Sequence, residues 1–112
     1  MVNTTKITDI IKDALEKEHQ HILCKFGQTT HVRLTIFHVG IRHEGTEYSK
    51  IFAQIDFSTD VGKDGLSGFD ILSCDTIEEG QQALKDFANA IRYPFSVQNE
   101  GNWYVSSKVV LP

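Results

Sequence analysis

Proline and cysteine are scarce in this sequence, with two of each among 112 residues, and no long hydrophobic run is present. So few prolines exclude Pro-rich and collagen-like architectures. Two cysteines supply neither a disulfide framework nor a four-ligand zinc site, and Cys24 and Cys74 are each expected to be small buried side chains in a reducing, cytoplasmic compartment. The short apolar stretches predict no membrane span, and residues 1–9 predict no secretory signal.

Basic residues are also few, since Lys and Arg number 11 against 15 Asp and Glu, for a formal net charge of −4 at pH 7. This balance argues against direct nucleic-acid binding, which depends on neutralising phosphates. The negative charge is concentrated in residues 56–86, where eight acidic and two basic residues give a net charge of −6, while the segments on either side are each net +1. An acidic surface, if one forms, is therefore expected from the middle of the chain.

Hydrophobic residues make up 40% of the chain and charged residues 23%, which is the ordinary range of globular proteins. The length is that of one domain. No repeat, linker or low-complexity segment interrupts the sequence. We therefore expect residues 1–112 to form a single domain with its own core.

The first half of the chain predicts a helix followed by a hairpin. Apolar residues at helical spacing over 4–24 predict an amphipathic helix that ends near Gly27. Alternating patterns over 30–39 and 47–57 predict two strands joined by a turn at 43–46, with Ile51, Ala53, Ile55 and Phe57 inward. Gly40 indicates a bulge or bend in the first strand.

The second half predicts a loop, a short strand, a helix and a closing hairpin. Residues 58–68 are rich in glycine and turn-forming residues and predict a loop, and 69–74 predict a short strand. Thr76 and Glu79 form a capping-box pattern at the start of a helix that continues to Ile91. Residues 95–98 and 103–111 predict the closing hairpin.

This element order, α-β-β-β-α-β-β, predicts an α+β fold in which two helices pack on one face of a mostly antiparallel five-stranded sheet. By element order alone the chain resembles small acidic secretion chaperones, which continue into a third helix. A likeness of topology implies fold only, because one fold supports many functions.

Motifs of catalysis are missing from the sequence. It contains no Gly-x-Ser-x-Gly elbow, no HExxH pair and no Gly-x-x-x-x-Gly-Lys-Ser/Thr loop. Five histidines fall within residues 19–43, but their spacing favours scattered imidazoles. A bulge at Gly40 would bring His38 and His43 together, so a small ligand-binding or metal-binding domain, or an enzyme that uses the sheet face, is the alternative function. We expect no cofactor and no metal.

The acidic segment and the aromatic residues carry the leading hypothesis, a small cytoplasmic, non-catalytic protein-binding module. It would act as an inhibitor or immunity-type protein that blocks a basic, nucleic-acid-binding surface of its partner. A homo-oligomer formed through the C-terminal hairpin, whose second strand is expected at the sheet edge, is a further possibility. The candidate partner-binding residues are Asp56, Asp60, Asp64, Asp70, Asp75, Glu78, Glu79 and Tyr104.

Overall fold

A computed structural model describes residues 4–62, 64–99 and 104–111, with the side chains of 4–6, 99 and 104–106 outside that description. The predicted fold is confirmed: two helices and five antiparallel strands form an α+β domain. The elements are α1 (Thr4–Phe26), β1 (Thr29–His43), β2 (Thr46–Thr59), β3 (Asp64–Cys74), α2 (Ile77–Ile91), β4 (Ser96–Asn99) and β5 (Tyr104–Leu111). Within the described residues, no helix has the length and apolar character needed to cross a membrane.

The sheet has the strand order β3-β2-β1-β5-β4, so that β1 lies at its centre. β1 pairs with β2 through a two-residue turn, Glu44-Gly45, in which both residues have positive φ. This is the turn chemistry that matches the twist of a tight hairpin. On its other side β1 pairs with β5, which places His38 opposite Ser107. β5 is therefore an interior strand and the expectation of an edge there is wrong; β3 and β4 form the edges.

One face of the sheet carries the core. Ile36, Ile51, Ala53 and Ile55 have at most 1% of their surface exposed, because α1 and α2 both pack on this face. The apolar stripe of α2 and residues of α1 complete the cluster, whose further buried members are Ile7, Ile11, Ile22, Leu34, Phe57, Ile71, Ala83, Leu84, Phe87, Ala88 and Val109. Burial of these side chains is the main favourable contribution to folding.

The segment between β2 and β3 differs from the prediction. The expected loop over 58–68 is largely strand, because β2 continues to Thr59 and β3 begins at Asp64. Gly65 lies under the ring of Phe57, where a Cβ would overlap the ring atoms. This glycine is needed for close packing inside a strand, so it does not act as a breaker here.

Gly40 is also regular strand, and the predicted bulge is wrong. Gly40 pairs in register with Ser49 on one side and Val105 on the other. A Cβ at Gly40 would lie 2.7 Å from Cγ1 of Ile77, the first residue of α2. The glycine lets the helix approach the sheet. The register shifts elsewhere, in β1 between Thr29 and His31 and in β3 opposite Ile51 and Phe52.

Candidate functional site

The second face of the sheet has no described helix or loop packed on it. Side chains of β1 and β2 alternate, so the neighbours of the core residues point to this opposite side. We call it the uncovered face; its described residues include Arg33, Thr35, Phe37, Val39, Ile41, Tyr48, Lys50, Phe52, Gln54, Asp56, Leu66, Gly68, Asp70, Lys108 and Val110. A sheet that is covered on one side normally presents polar residues on the other side. Apolar residues on the uncovered face are therefore unusual and point to a functional role.

An aromatic pair occupies the middle of the uncovered face. Phe37 and Phe52 are directly opposite each other on β1 and β2, and their rings stack with centroids 5.1 Å apart and planes inclined by 17°. Exposed Tyr48, Leu66 and Val110 extend the apolar area, with exposed fractions of 49%, 62% and 37%. Large aromatic side chains are typical anchors of protein interfaces, and this face presents two of them beside exposed apolar residues.

Charged residues flank the aromatic pair. Asp70 of β3 forms an ion pair with Lys50 of β2, with Nζ and Oδ2 3.1 Å apart, and both side chains are largely exposed. Asp56 stands opposite Arg33 in the register of the hairpin but makes no ion pair with any described residue. Exposed ion pairs contribute little to stability, so these charges are free to interact with another molecule.

The eight predicted partner-binding residues do not form one surface. Asp60 and Asp64 lie at the turn between β2 and β3, whereas Asp75, Glu78 and Glu79 lie at the start of α2. The eleven residues of β3 separate these two groups by roughly 33 Å at 3.3 Å per residue. The separation follows directly from a strand where the sequence predicted a loop.

The other three predicted members, Asp56, Asp70 and Tyr104, occupy two different places. Asp56 and Asp70 belong to the uncovered face. Asp56, opposite Leu66, is near Asp64, whereas Asp70, opposite Phe52, lies past the middle of β3. Tyr104 pairs through its backbone with Ile41, and its side chain lies outside the described residues. Asp56 and Asp64 are therefore the predicted residues that lie near each other, at the β2–β3 end of the uncovered face, and Asp70 stands on the same face roughly 20 Å from Asp64 at 3.3 Å per residue.

An arginine pairs with one member of the acidic group at α2. The Arg42 guanidinium contacts Glu47 at 2.9 Å and Glu78 at 3.0 Å. Glu47 also accepts a hydrogen bond of 2.8 Å from the backbone N–H of Ile77. The hydrogen bond from Arg42 is the main reason that the pKa of Glu47 is lowered to about 2, and the bond from Ile77 adds to the effect. Contacts with Glu47 and Glu78 raise the pKa of Arg42. Sequence reasoning missed this group, although Arg42 and Glu47 flank a tight turn and must face each other.

The alternative histidine site is not assembled. His38 is fully buried on the core face, whereas His43 is exposed at the end of β1, five positions along the strand. With no bulge at Gly40, the two side chains point to opposite faces. Among residues 4–62, 64–99 and 104–111, no three His, Cys, Asp or Glu side chains are grouped as metal ligands.

His38 is instead enclosed between β1, β5 and α2. Neither ring nitrogen has a hydrogen-bond partner in the described part of the chain, and the hydroxyl of Ser107 opposite it has none either. Burial lowers the pKa of His38 to about 4, because the charged imidazolium would lose its hydration. The ring is therefore neutral at physiological pH.

The cysteines differ from each other in environment. Cys74 is buried as expected, and desolvation, followed by the nearby carboxylates of Glu79 and Asp75, raises the pKa of its thiol. Cys24 is exposed on α1, so the expectation that it is buried is wrong. A thiol whose pKa is raised is a weaker nucleophile at neutral pH.

Comparison with known proteins returned no match to a family model, a curated protein or a solved structure. The structure defines an α+β fold whose sheet is covered by two helices on one face and by no described helix or loop on the other.

Proposed function

We propose that the protein is a small non-catalytic protein-binding module that docks its partner on the uncovered face. The observation that carries this proposal is the stacked pair Phe37–Phe52, which lies at the centre of a sheet face that no described element covers. An aromatic cluster surrounded by charged and polar side chains is the arrangement of an interface core and its rim. Docking there would remove exposed Tyr48 and Leu66 from water.

The acidic end of this face indicates the chemistry of the partner. Asp56 and Asp64 make no ion pair with a described residue, and Asp70 has only the exposed contact with Lys50. These carboxylates would meet lysine and arginine side chains of a basic protein. In this proposal the protein acts as an inhibitor or immunity-type module that covers a basic surface of its partner. The affinity should then fall as the salt concentration rises.

The proposal is favoured over a ligand or metal site at His38 and His43 because the fold places these residues on opposite faces. It is also favoured over docking through Glu78 because that carboxylate lies at the start of α2, away from the aromatic pair, whereas Asp70 stands opposite Phe52 in the register. In this proposal the predicted acidic surface is reduced to the carboxylates of the uncovered face, Asp56, Asp64 and Asp70.

The experiment is affinity capture from the native host at low and moderate salt, read by mass spectrometry with surface variants as bait. Leu66→Lys and Asp56→Lys should each abolish capture of a specific basic protein. Asp13→Lys and Gln20→Lys, which alter the outer surface of α1, should leave capture unchanged. Circular dichroism of each variant checks folding. Capture that survives both variants of the uncovered face would contradict the proposal.

A further inference from the structure

β3 is an edge strand with one side unpaired. It contains eleven residues, whereas β4 at the opposite edge contains four. From Asp64 to Asp70 the pairing with β2 is regular, and the register shifts just beyond. An unpaired edge presents a row of backbone N–H and C=O groups that another extended chain can pair with. This edge has about seven regular residues, enough for a short added strand.

A hollow lies beside this edge on the uncovered face. Gly68 has no side chain, and the space above it forms a depression of about 410 Å³. Phe52 and Gln54 of β2 line it on one side, and Leu66 and Asp70 of β3 stand at its two ends. An added strand would place every second side chain over this face, so one of them would fall in the hollow.

The lining of the hollow selects a particular kind of side chain. Leu66 and Phe52 are apolar, which suits an aliphatic stem, while Asp70 supplies a carboxylate and Asp56 stands beside Leu66 in the register. An arginine combines a long stem with a planar cation that stacks on an aromatic ring and pairs with a carboxylate. A lysine matches the charge but lacks the planar group.

We infer that the partner presents an extended, arginine-bearing segment that adds to the sheet as a sixth strand along β3 and inserts its arginine in the hollow over Gly68. The inference rests on the proposed function and specifies the partner segment that the uncovered face receives. The segment is basic because Asp56, Asp64 and Asp70 lie along this part of β2 and β3, and among the described residues only Asp70 has a cationic partner.

The test is a nuclear magnetic resonance titration of the full chain with the blocked pentapeptide Thr-Thr-Arg-Thr-Thr. Amide signals from Leu66 to Asp70, and the side-chain amide of Gln54, should shift and saturate. A peptide with citrulline in place of arginine has nearly the same shape without the charge and should bind at least tenfold more weakly. A glutamate peptide should not bind.

Variants of the protein make the test specific. Asp70→Asn should weaken binding of the arginine peptide about tenfold, and Gly68→Thr, which fills the hollow, should abolish it. Asp13→Asn on the outer surface of α1 removes a carboxylate elsewhere and should change nothing. The dispersion of the amide spectrum shows that each variant is folded.

Two results would overturn the inference: equal binding of the arginine and citrulline peptides, or shifts confined to residues away from β3. A partner that is captured through Leu66 and Asp56 but is indifferent to Gly68→Thr would also overturn it. That last result would leave the proposed function standing, whereas loss of all dependence on the uncovered face would remove the proposed function itself.

Discussion

Gly80 of α2 lies directly against the imidazole of His38, so closely that a Cβ at position 80 would overlap ring atoms Nε2 and Cδ2. The same Cβ would overlap the hydroxyl of Ser49, which donates a hydrogen bond of 2.8 Å to the carbonyl oxygen of Thr76. A glycine inside a helix is ordinarily unfavourable. Here it sets the distance between α2 and the sheet.

Replacing Gly80 by alanine should destabilise the protein, although alanine is the better helix former. The gain in helix propensity is about 1 kcal/mol, whereas forcing a methyl group into a closed contact costs about 1–3 kcal/mol. We expect a net loss of about 1 kcal/mol in the free energy of unfolding, measured with urea. Asn89→Ala, an exposed change in the same helix, serves as the control. Unchanged or increased stability of Gly80→Ala would contradict the packing described.

Acidification should destabilise the fold through His38. Its pKa is about 4 in the folded protein and 6.5 in the unfolded chain, so between these values the unfolded chain binds more protons. Stability is therefore complete above pH 6.5 and is lost as the pH falls toward 4. At 1.36 kcal/mol per pKa unit, the full effect is about 3 kcal/mol.

The measurement is urea unfolding at several pH values between 4 and 7, with two variants. His38→Gln removes the titrating group and should flatten the pH dependence in this window. His31→Gln removes an exposed histidine and should leave the dependence as it is in the wild type. An equally steep dependence in His38→Gln would show that other groups are responsible.

Glu47 and Glu78 both contact Arg42 but should differ in their contribution to stability. Glu47→Ala removes the acceptor for the backbone N–H of Ile77 as well as the ion pair. Glu78→Ala removes only an exposed ion pair, which contributes little. We expect a clearly lower melting temperature for Glu47→Ala and almost no change for Glu78→Ala.

The effect of Glu47 should also depend on pH. Its pKa is lowered to about 2 from 4.5, so its stabilising effect is present above pH 4.5 and is lost as the pH falls toward 2. The difference in melting temperature between Glu47→Ala and the wild type should shrink over that range. A constant difference down to pH 2 would rule out the carboxylate as the cause.

The N-cap of α2 provides a further test. The hydroxyl of Thr76 accepts a hydrogen bond of 3.2 Å from the backbone N–H of Glu79. Thr76→Ala should lower the free energy of unfolding by about 1 kcal/mol, while Thr76→Ser, which keeps the hydroxyl, should retain most of it. Chemical unfolding measures both. Equal losses in the two variants would mean that the methyl group, not the hydroxyl, matters.

Much of the fold was predictable because local patterns agreed with the tertiary structure. The alternation of Ile51, Ala53, Ile55 and Phe57 predicted the buried side of β2, and all four are buried. The capping-box pattern predicted the start of α2, where the bond to Thr76 forms. These two predictions were correct because each depends only on residues a few positions apart in the sequence.

Glycines caused most of the errors. Gly40 and Gly65 were interpreted as a bulge and as part of a loop, yet both are in regular strands beneath the side chains of Ile77 and Phe57. Those side chains come from other elements, Phe57 from across the β2–β3 hairpin and Ile77 from α2, so the reason for each glycine is a contact between elements. Prediction rules that use only neighbouring residues treat glycine as a breaker of helices and strands, and they take no account of such contacts.

The division of the acidic residues has the same origin. Asp64 and Asp75 are eleven positions apart in the sequence, which a loop could bring together but an extended strand holds apart. The uncovered face also could not be predicted from the sequence. Its prediction requires knowing that α1 and α2 pack on the same side of the sheet around the same core. The pairing of Phe37 with Phe52, by contrast, follows from the register of a predictable hairpin.

The central position of β1 has a kinetic consequence. Its contacts with β2 close through a two-residue turn, but its contacts with β5 join residues such as His38 and Ser107, which are 69 positions apart. Bringing distant segments together lowers the entropy of the chain before stabilising contacts have formed, and this slows folding. The meander β1–β2–β3 can therefore assemble early, while arrival of the last strand beside β1 sets the pace at which the native sheet is completed.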